Sequence, residues 1–172
     1  RGRLLIMPWR TLQIVSASAG ILLTVALAFF SPDLVAIHFN AAGAPDGWAS
    51  KWMNALFFSG LFLFLNLVYG GLPALIRKIP VTLINVPNRE YWFAPERKES
   101  AYKIVTVFLA ELAVFTNIFL AGIGILLFYA NKTGQAAPPV AFLALMGAMF
   151  ICIVLWIIHL IRAFRLPKPA GK

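Results

Sequence analysis

Four apolar stretches constrain this chain more than any other feature. Each is near or above the roughly 20 residues that a helix needs to cross a bilayer core of about 30 Å. They run from about Leu12 to Phe30, Trp52 to Ile76, Ile104 to Ala130 and Val140 to Ile161. In lipid each backbone polar group must be satisfied within the protein, so such stretches predict helices. Composition agrees: of 172 residues, 61% are hydrophobic and 12% charged, against about 25% charged in a soluble domain. So few charges cannot cover an apolar core with polar surface. Lipid is left as the main solvent, and a single membrane domain over 1–172 as the organisation. The sequence opens on Arg1 rather than Met, so a few residues are expected ahead of it. The first stretch exceeds a signal-peptide core and lacks a cleavage site, and is kept as a helix.

Breaker residues place the ends. Ser31-Pro32-Asp33 closes the first stretch, and Gly70, Gly71 and Pro73 mark a weak point late in the second. Pro95-Glu96 suits a helical first turn, so the third helix is expected to begin ahead of its apolar part. Asn131-Lys132-Thr133-Gly134 closes that helix, and the fourth follows Pro138-Pro139.

Charge sets the orientation. Arg1, Arg3 and Arg10 precede the first stretch, and Arg77, Lys78, Arg89, Arg97, Lys98 and Lys103 follow the second. Arg162, Arg165, Lys168 and Lys172 follow the fourth, which leaves Lys51 and Lys132 for the opposite side. The positive-inside rule puts both termini and the 77–103 loop in the cytoplasm. Trp9, Trp48, Trp52, Tyr91, Trp92 and Tyr129 fall near the expected interfaces, where aromatic belts form. The net charge of +9 lies between apolar blocks, so topology and anionic headgroups account for it and no nucleic-acid partner is expected. The single cysteine, Cys152, sits in an apolar run and reads as a small hydrophobe. No phosphate loop, dinucleotide fingerprint or nucleophile motif is present. No catalytic residue, metal or cofactor is therefore expected.

Sequence complexity is concentrated in two loops, each longer than a minimal helix connection. The outer one, about 31–52, contains Pro45-Asp46-Gly47, a strong turn signal. Ahead of it, Leu34 to Phe39 suits a short extended segment on the membrane surface. His38, Asn40, Asp46 and Lys51 are the candidate ligand-binding groups. His38, Asn40 and Asp46 either converge on a metal or small polar ligand or hydrogen-bond a folded loop, and they lack zinc-ligand spacing. The inner loop, about 77–103, is broken by Pro80, Pro87 and Pro95 and carries the apolar run Tyr91-Trp92-Phe93. It reads either as an interfacial segment or as a docking surface for a protein partner. In the second reading Tyr91 and Trp92 are the anchors, with Arg89 and Arg97 as polar contacts.

These loops carry a resemblance. His38-Phe39-Asn40, Gly43, Pro45-Asp46-Gly47-Trp48 and Ser50-Lys51 resemble the signature of a bacterial membrane family of unknown function. This is the domain-of-unknown-function family 1648, whose domain also forms the N-terminal part of SdpI-type immunity proteins. The run from Leu83 to Arg97 is similar to the loop of its stand-alone four-helix members. The resemblance implies immunity to a secreted toxic peptide and sequestration of a repressor at the membrane. It brings no catalytic residues, and this chain has four helices rather than the longer array of the full immunity proteins.

Within the membrane, Glu111 lies about seven residues, or roughly 10 Å, into the third apolar stretch. An intramembrane carboxylate marks a functional hypothesis by default. His159, near the cytoplasmic end of the antiparallel fourth helix, is placed to pair with it. Asn66, Thr116 and Asn117 are further intramembrane polar groups, and the bland reading of all five is interhelical hydrogen bonding. Gly122 and Gly124 suit close helix packing, and Phe57, Phe58, Phe62 and Phe64 face either lipid or another subunit.

The expectation is an all-α integral membrane four-helix bundle with structured outer and inner loops, in a bacterial cytoplasmic membrane. Its partners would be the bilayer and a protein or larger membrane complex. Its role would be that of a non-enzymatic accessory, sensing or immunity-type protein. The rival is a small proton-coupled transporter using Glu111 and His159.

Overall fold

The computed structural model describes residues 6–40, 43–134 and 139–167. Of the residues used above, Arg1, Arg3, Pro138, Lys168 and Lys172 lie outside them. Four long helices dominate: α1 (Ile6–Phe30), α2 (Lys51–Ile76), α4 (Lys98–Thr133) and α5 (Pro139–Ala163). All four are long and apolar enough to span a membrane. Between α1 and α2 stands an antiparallel hairpin, β1 (Leu34–Phe39) and β2 (Pro45–Ser50), so the chain is not purely helical. Between α2 and α4 come a 3₁₀ turn (Val81–Leu83) and the short helix α3 (Arg89–Trp92).

The helix ends follow local chemistry. Ser50 caps α2 by accepting from Met53 N at 3.1 Å. Pro139, which has no N–H to satisfy, opens α5. Gly134 ends α4 in the left-handed region with φ 67°. The expected weak point at Gly70, Gly71 and Pro73 does not break α2, which continues to Ile76. Pro73 sits in the last turn, where it removes one hydrogen bond rather than dividing the helix. Pro95 and Glu96 form the turn just before α4 rather than its first turn; Ala94 O accepts from both Arg97 N and Lys98 N at 2.9 Å.

The helices are not arranged as an even bundle. α1, α2 and α4 pack on one another, whereas α5 packs against α4 alone among the long helices and buries none of its residues. Gly20 of α1 lets α2 approach: a Cβ there would lie 2.4 Å from the ring of Phe62, which is fully buried. Phe58 is buried as well, while Phe57 and Phe64 face outward. The phenylalanines of α2 thus divide between helix packing and lipid-facing surface. On α4, Gly122 faces Leu145 of α5, and Cys152 lines a small apolar cavity between these two helices.

A polar network joins the three packed helices. Asn66 Nδ2 donates to Asn117 Oδ1 at 2.7 Å, and Asn117 Nδ2 donates to Asn66 Oδ1 at 3.2 Å and Ser16 Oγ at 2.9 Å. Gln13 Nε2 donates to the Asn66 carbonyl at 3.2 Å. Thr116 contacts the Tyr69 hydroxyl at 3.2 Å. Buried amides cost free energy unless they are paired, and here they are paired across three helices.

At the end opposite the hairpin lies a second apolar core. Ile84, Phe93, Ala101, Tyr102, Ile104, Phe108 and Phe164 are buried together there. The loop after α2 folds back over the start of α4 and the end of α5. At 36 residues, α4 is about 54 Å long, well beyond a bilayer core, and its first turns belong to this cap.

Candidate functional site

The hairpin is fixed to the helix ends by two clamps. Asn131, near the end of α4, treats Ala36 as a strand neighbour would. Its Oδ1 accepts from Ala36 N at 2.6 Å and its Nδ2 donates to Ala36 O at 2.9 Å. Ala36 is buried, so without these bonds its peptide groups would lose their partners. At the hairpin's base, Lys51 N donates to Asp33 O at 3.0 Å, and Lys51 Nζ lies 2.9 Å from Asp33 Oδ1. The hydrogen bond from Lys51, reinforced by its charge, holds the Asp33 carboxyl below its ordinary value.

His38 and Asp46 meet across the two strands, Nδ1 to Oδ1. Both are exposed, with side-chain exposures of 70% and 44%. Gly47 permits this: it pairs with His38, and a Cβ there would lie 2.9 Å from His38 Cβ. Register shifts on either side of His38 bend β1 at this point. The turn is not made by Pro45-Asp46-Gly47, which all lie in β2. It is made by Asn40, whose Oδ1 accepts from Ala44 N at 3.0 Å and whose N–H donates to Ala44 O at 2.9 Å, with Gly43 at φ 79°.

The expected ligand group of His38, Asn40, Asp46 and Lys51 therefore divides. His38 and Asp46 come together beside the Asn40 turn, whereas Lys51 lies at the other end of β2. Five steps along the chain, at about 3.4 Å each in a strand, separate Lys51 from Asp46. Among the described residues no three His, Cys, Asp or Glu side chains gather into a metal-binding group. Beneath the hairpin, a cavity of about 20 Å³ is bounded by residues that include Thr24, Ser31, Lys51, Asn54 and Asn131. It has room for about one water molecule.

The inner-loop residues are brought together, but largely by contacts with one another and with the cap. Trp92 Nε1 donates to Phe164 O at 2.9 Å, and its ring meets Phe164 edge-on. Arg97 Nε donates to Tyr91 O at 2.7 Å, and its guanidinium lies 4.1 Å from the Tyr91 ring centroid. Arg89 Nη1 donates to Thr82 O at 2.9 Å. Arg77 donates to both carboxylate oxygens of Glu99 at 2.9 Å. Trp92 and Arg97 thus hold the loop closed, while Tyr91 stays half-buried at its surface.

Glu111 and His159 lie 3.7 Å apart, Oε2 to Nδ1. Glu111 is nearly fully buried and the His159 side chain is 61% exposed. Because α4 begins at Lys98, Glu111 stands about 20 Å along the helix rather than near its start. The His159 ring also contacts Phe108 at 4.8 Å.

Sequence reasoning missed Asp33, Asn131, Gln13, Ser16 and Phe164 as structural partners. The signals were Asp33 and Lys51 flanking one turn-rich segment, and Gln13 standing inside an apolar stretch.

The hairpin with its flanking helices is also the part of the chain that other proteins share. Residues 17–63 match the family model of DUF1648, a domain of unknown function. The DUF1648 segment runs from the middle of α1 through the hairpin to the first half of α2, and so includes His38, Asn40, Asp46 and Lys51. The loop from Leu83 to Arg97, Glu111 and His159 lie beyond it. No curated protein and no solved structure matches the chain.

Proposed function

We propose that this multi-pass membrane protein is a non-enzymatic binding module of a bacterial cytoplasmic membrane, sensing or accessory in role. It would engage an external ligand on its hairpin and a protein partner at the opposite end. One observation carries this reading. Asn131 and the Asp33–Lys51 pair clamp the hairpin, while the His38–Asp46 pair stands exposed toward its tip. A fixed scaffold presenting an exposed polar pair is the usual arrangement of a binding loop. Immunity of the SdpI type and membership of a larger complex are specific forms of this reading.

The test is a double substitution, His38→Ala and Asp46→Ala, which leaves the Asn40 turn intact, scored for protection or for association in native membranes. Association or protection should disappear while membrane abundance is kept. A fall in abundance would assign these residues to folding instead.

A second reading rests on the Glu111–His159 pair, in which a proton-coupled transporter would use this carboxylate. Flux in proteoliposomes that vanished in Glu111→Gln would favour it, and unchanged flux would remove it.

A further inference from the structure

Two grooves share one wall at the cap end of the molecule. The first, of about 260 Å³, runs between α2, α4 and α5 and is almost entirely apolar, with Ile76, Phe108, Leu109, Trp156 and Leu160 among its lining residues. The second, of about 370 Å³, is lined by polar as well as apolar groups, including Asn85, Asn88, Arg89 and Glu90. Ile84 and Val86 line both. The apolar slot and the polar basin therefore lie side by side along one short stretch of chain.

We infer that the two grooves together hold one inner-leaflet phospholipid with a zwitterionic, primary-ammonium headgroup. The apolar groove would take an acyl chain. It opens between helices that span the membrane, where acyl chains are the abundant apolar solute. The charges of the basin select the headgroup. Its charged lining residues are one cation, Arg89, and one anion, Glu90. A headgroup of net negative charge would satisfy Arg89 and be repelled by Glu90, whereas a phosphate with a tethered ammonium satisfies both. Arg89 has the capacity: Nη1 is committed to Thr82 O, and Nε and Nη2 carry further N–H groups suited to phosphate. A trimethylammonium headgroup has no N–H to donate to Glu90, so the primary ammonium is the better match. This site lies outside the DUF1648 segment and does not depend on the hairpin's ligand.

The experiment uses the full chain, reconstituted with equal amounts of phosphatidylethanolamine, phosphatidylcholine and phosphatidylglycerol, then released into mild detergent for native mass spectrometry. Phosphatidylethanolamine should be retained over each of the others by about fivefold, the size of one partly exposed ion pair. Glu90→Gln should abolish its advantage over phosphatidylglycerol, and Arg89→Ala should lower retention of all three. Leu83, an exposed residue on the rim of the apolar groove, supplies a variant that leaves the basin untouched. Leu83→Asn, which is polar but adds no charge near Arg89, should reduce total lipid retained without changing the order of preference. Equal or greater retention of phosphatidylglycerol by the wild-type chain would overturn the proposal. So would an unaltered preference in Glu90→Gln.

Discussion

At the scale of single residues, the hairpin depends on side chains that stand in for backbone. Asn131→Ala would strip both peptide groups of buried Ala36 of their partners, at a cost of about 1–3 kcal/mol. Amide exchange along β1 should accelerate while exchange in the middle of α4 does not. Asn131→Asp keeps an acceptor for Ala36 N but loses the donor to Ala36 O, so its effect should be intermediate. The Asp33–Lys51 clamp adds a pH dependence. Asp33 has a folded-state value below its ordinary 3.8. Its contribution is therefore complete above 3.8 and fades as the pH falls through the lowered folded-state value. The Lys51 amide, which donates to Asp33 O, should lose protection in that acid window. In Asp33→Asn that acid-dependent step should vanish. Residue types made some of this legible: Pro45, Asp46 and Gly47 announced a turn-rich segment. They did not reveal which residues turn, because Asn40 bonding to Ala44 competes for the same job and wins.

At the scale of elements, helix contacts are set by where small residues allow approach. Gly20→Ala would drive a Cβ against the Phe62 ring, and overpacking of this kind costs about 1–3 kcal/mol. Phe62→Leu in the same chain should recover part of the loss, because the two positions share one contact. Full additivity in a double-mutant cycle would show that α1 and α2 do not meet there. The apolar runs located all four helices because lipid demands them. They did not mark the start of α4, which Pro95-Glu96 put ahead of the apolar part and which falls at Lys98. Lys98, Glu99 and Lys103 lie in the turns that run past the apolar stretch and into the cap. Hydropathy registers the solvent of a segment and is blind to a helix that continues into a protein core. The buried status of Phe164 was invisible for a related reason. It lies just beyond α5, and the return of the 77–97 loop covers it together with the start of α4.

At the scale of the whole molecule, hydropathy showed four helices but not their unequal shares of the packing. Any apolar helix face is acceptable to lipid, so nothing in the composition of α5 announces that α4 is the one long helix it packs against. What results is two cores on one long helix. The three-helix network centres on Asn117, and the cap centres on Phe164 and the residues from Ala101 to Phe108. Along α4 the nine steps from Phe108 to Asn117 correspond to about 14 Å, and the two clusters share no residue. Sites that far apart without common partners should act independently. Asn117→Ala should cost about 1 kcal/mol or somewhat more, since intramembrane hydrogen bonds are individually modest. Phe164→Ala should cost about 3–5 kcal/mol, as a fully buried phenylalanine does, and should expose the 77–97 loop to protease. The double variant, unfolded reversibly in bicelles, should show the sum to within about 0.5 kcal/mol. A coupling well above that would mean that α4 transmits strain between its ends. The hairpin at one end and the cap at the other would then be linked rather than merely joined.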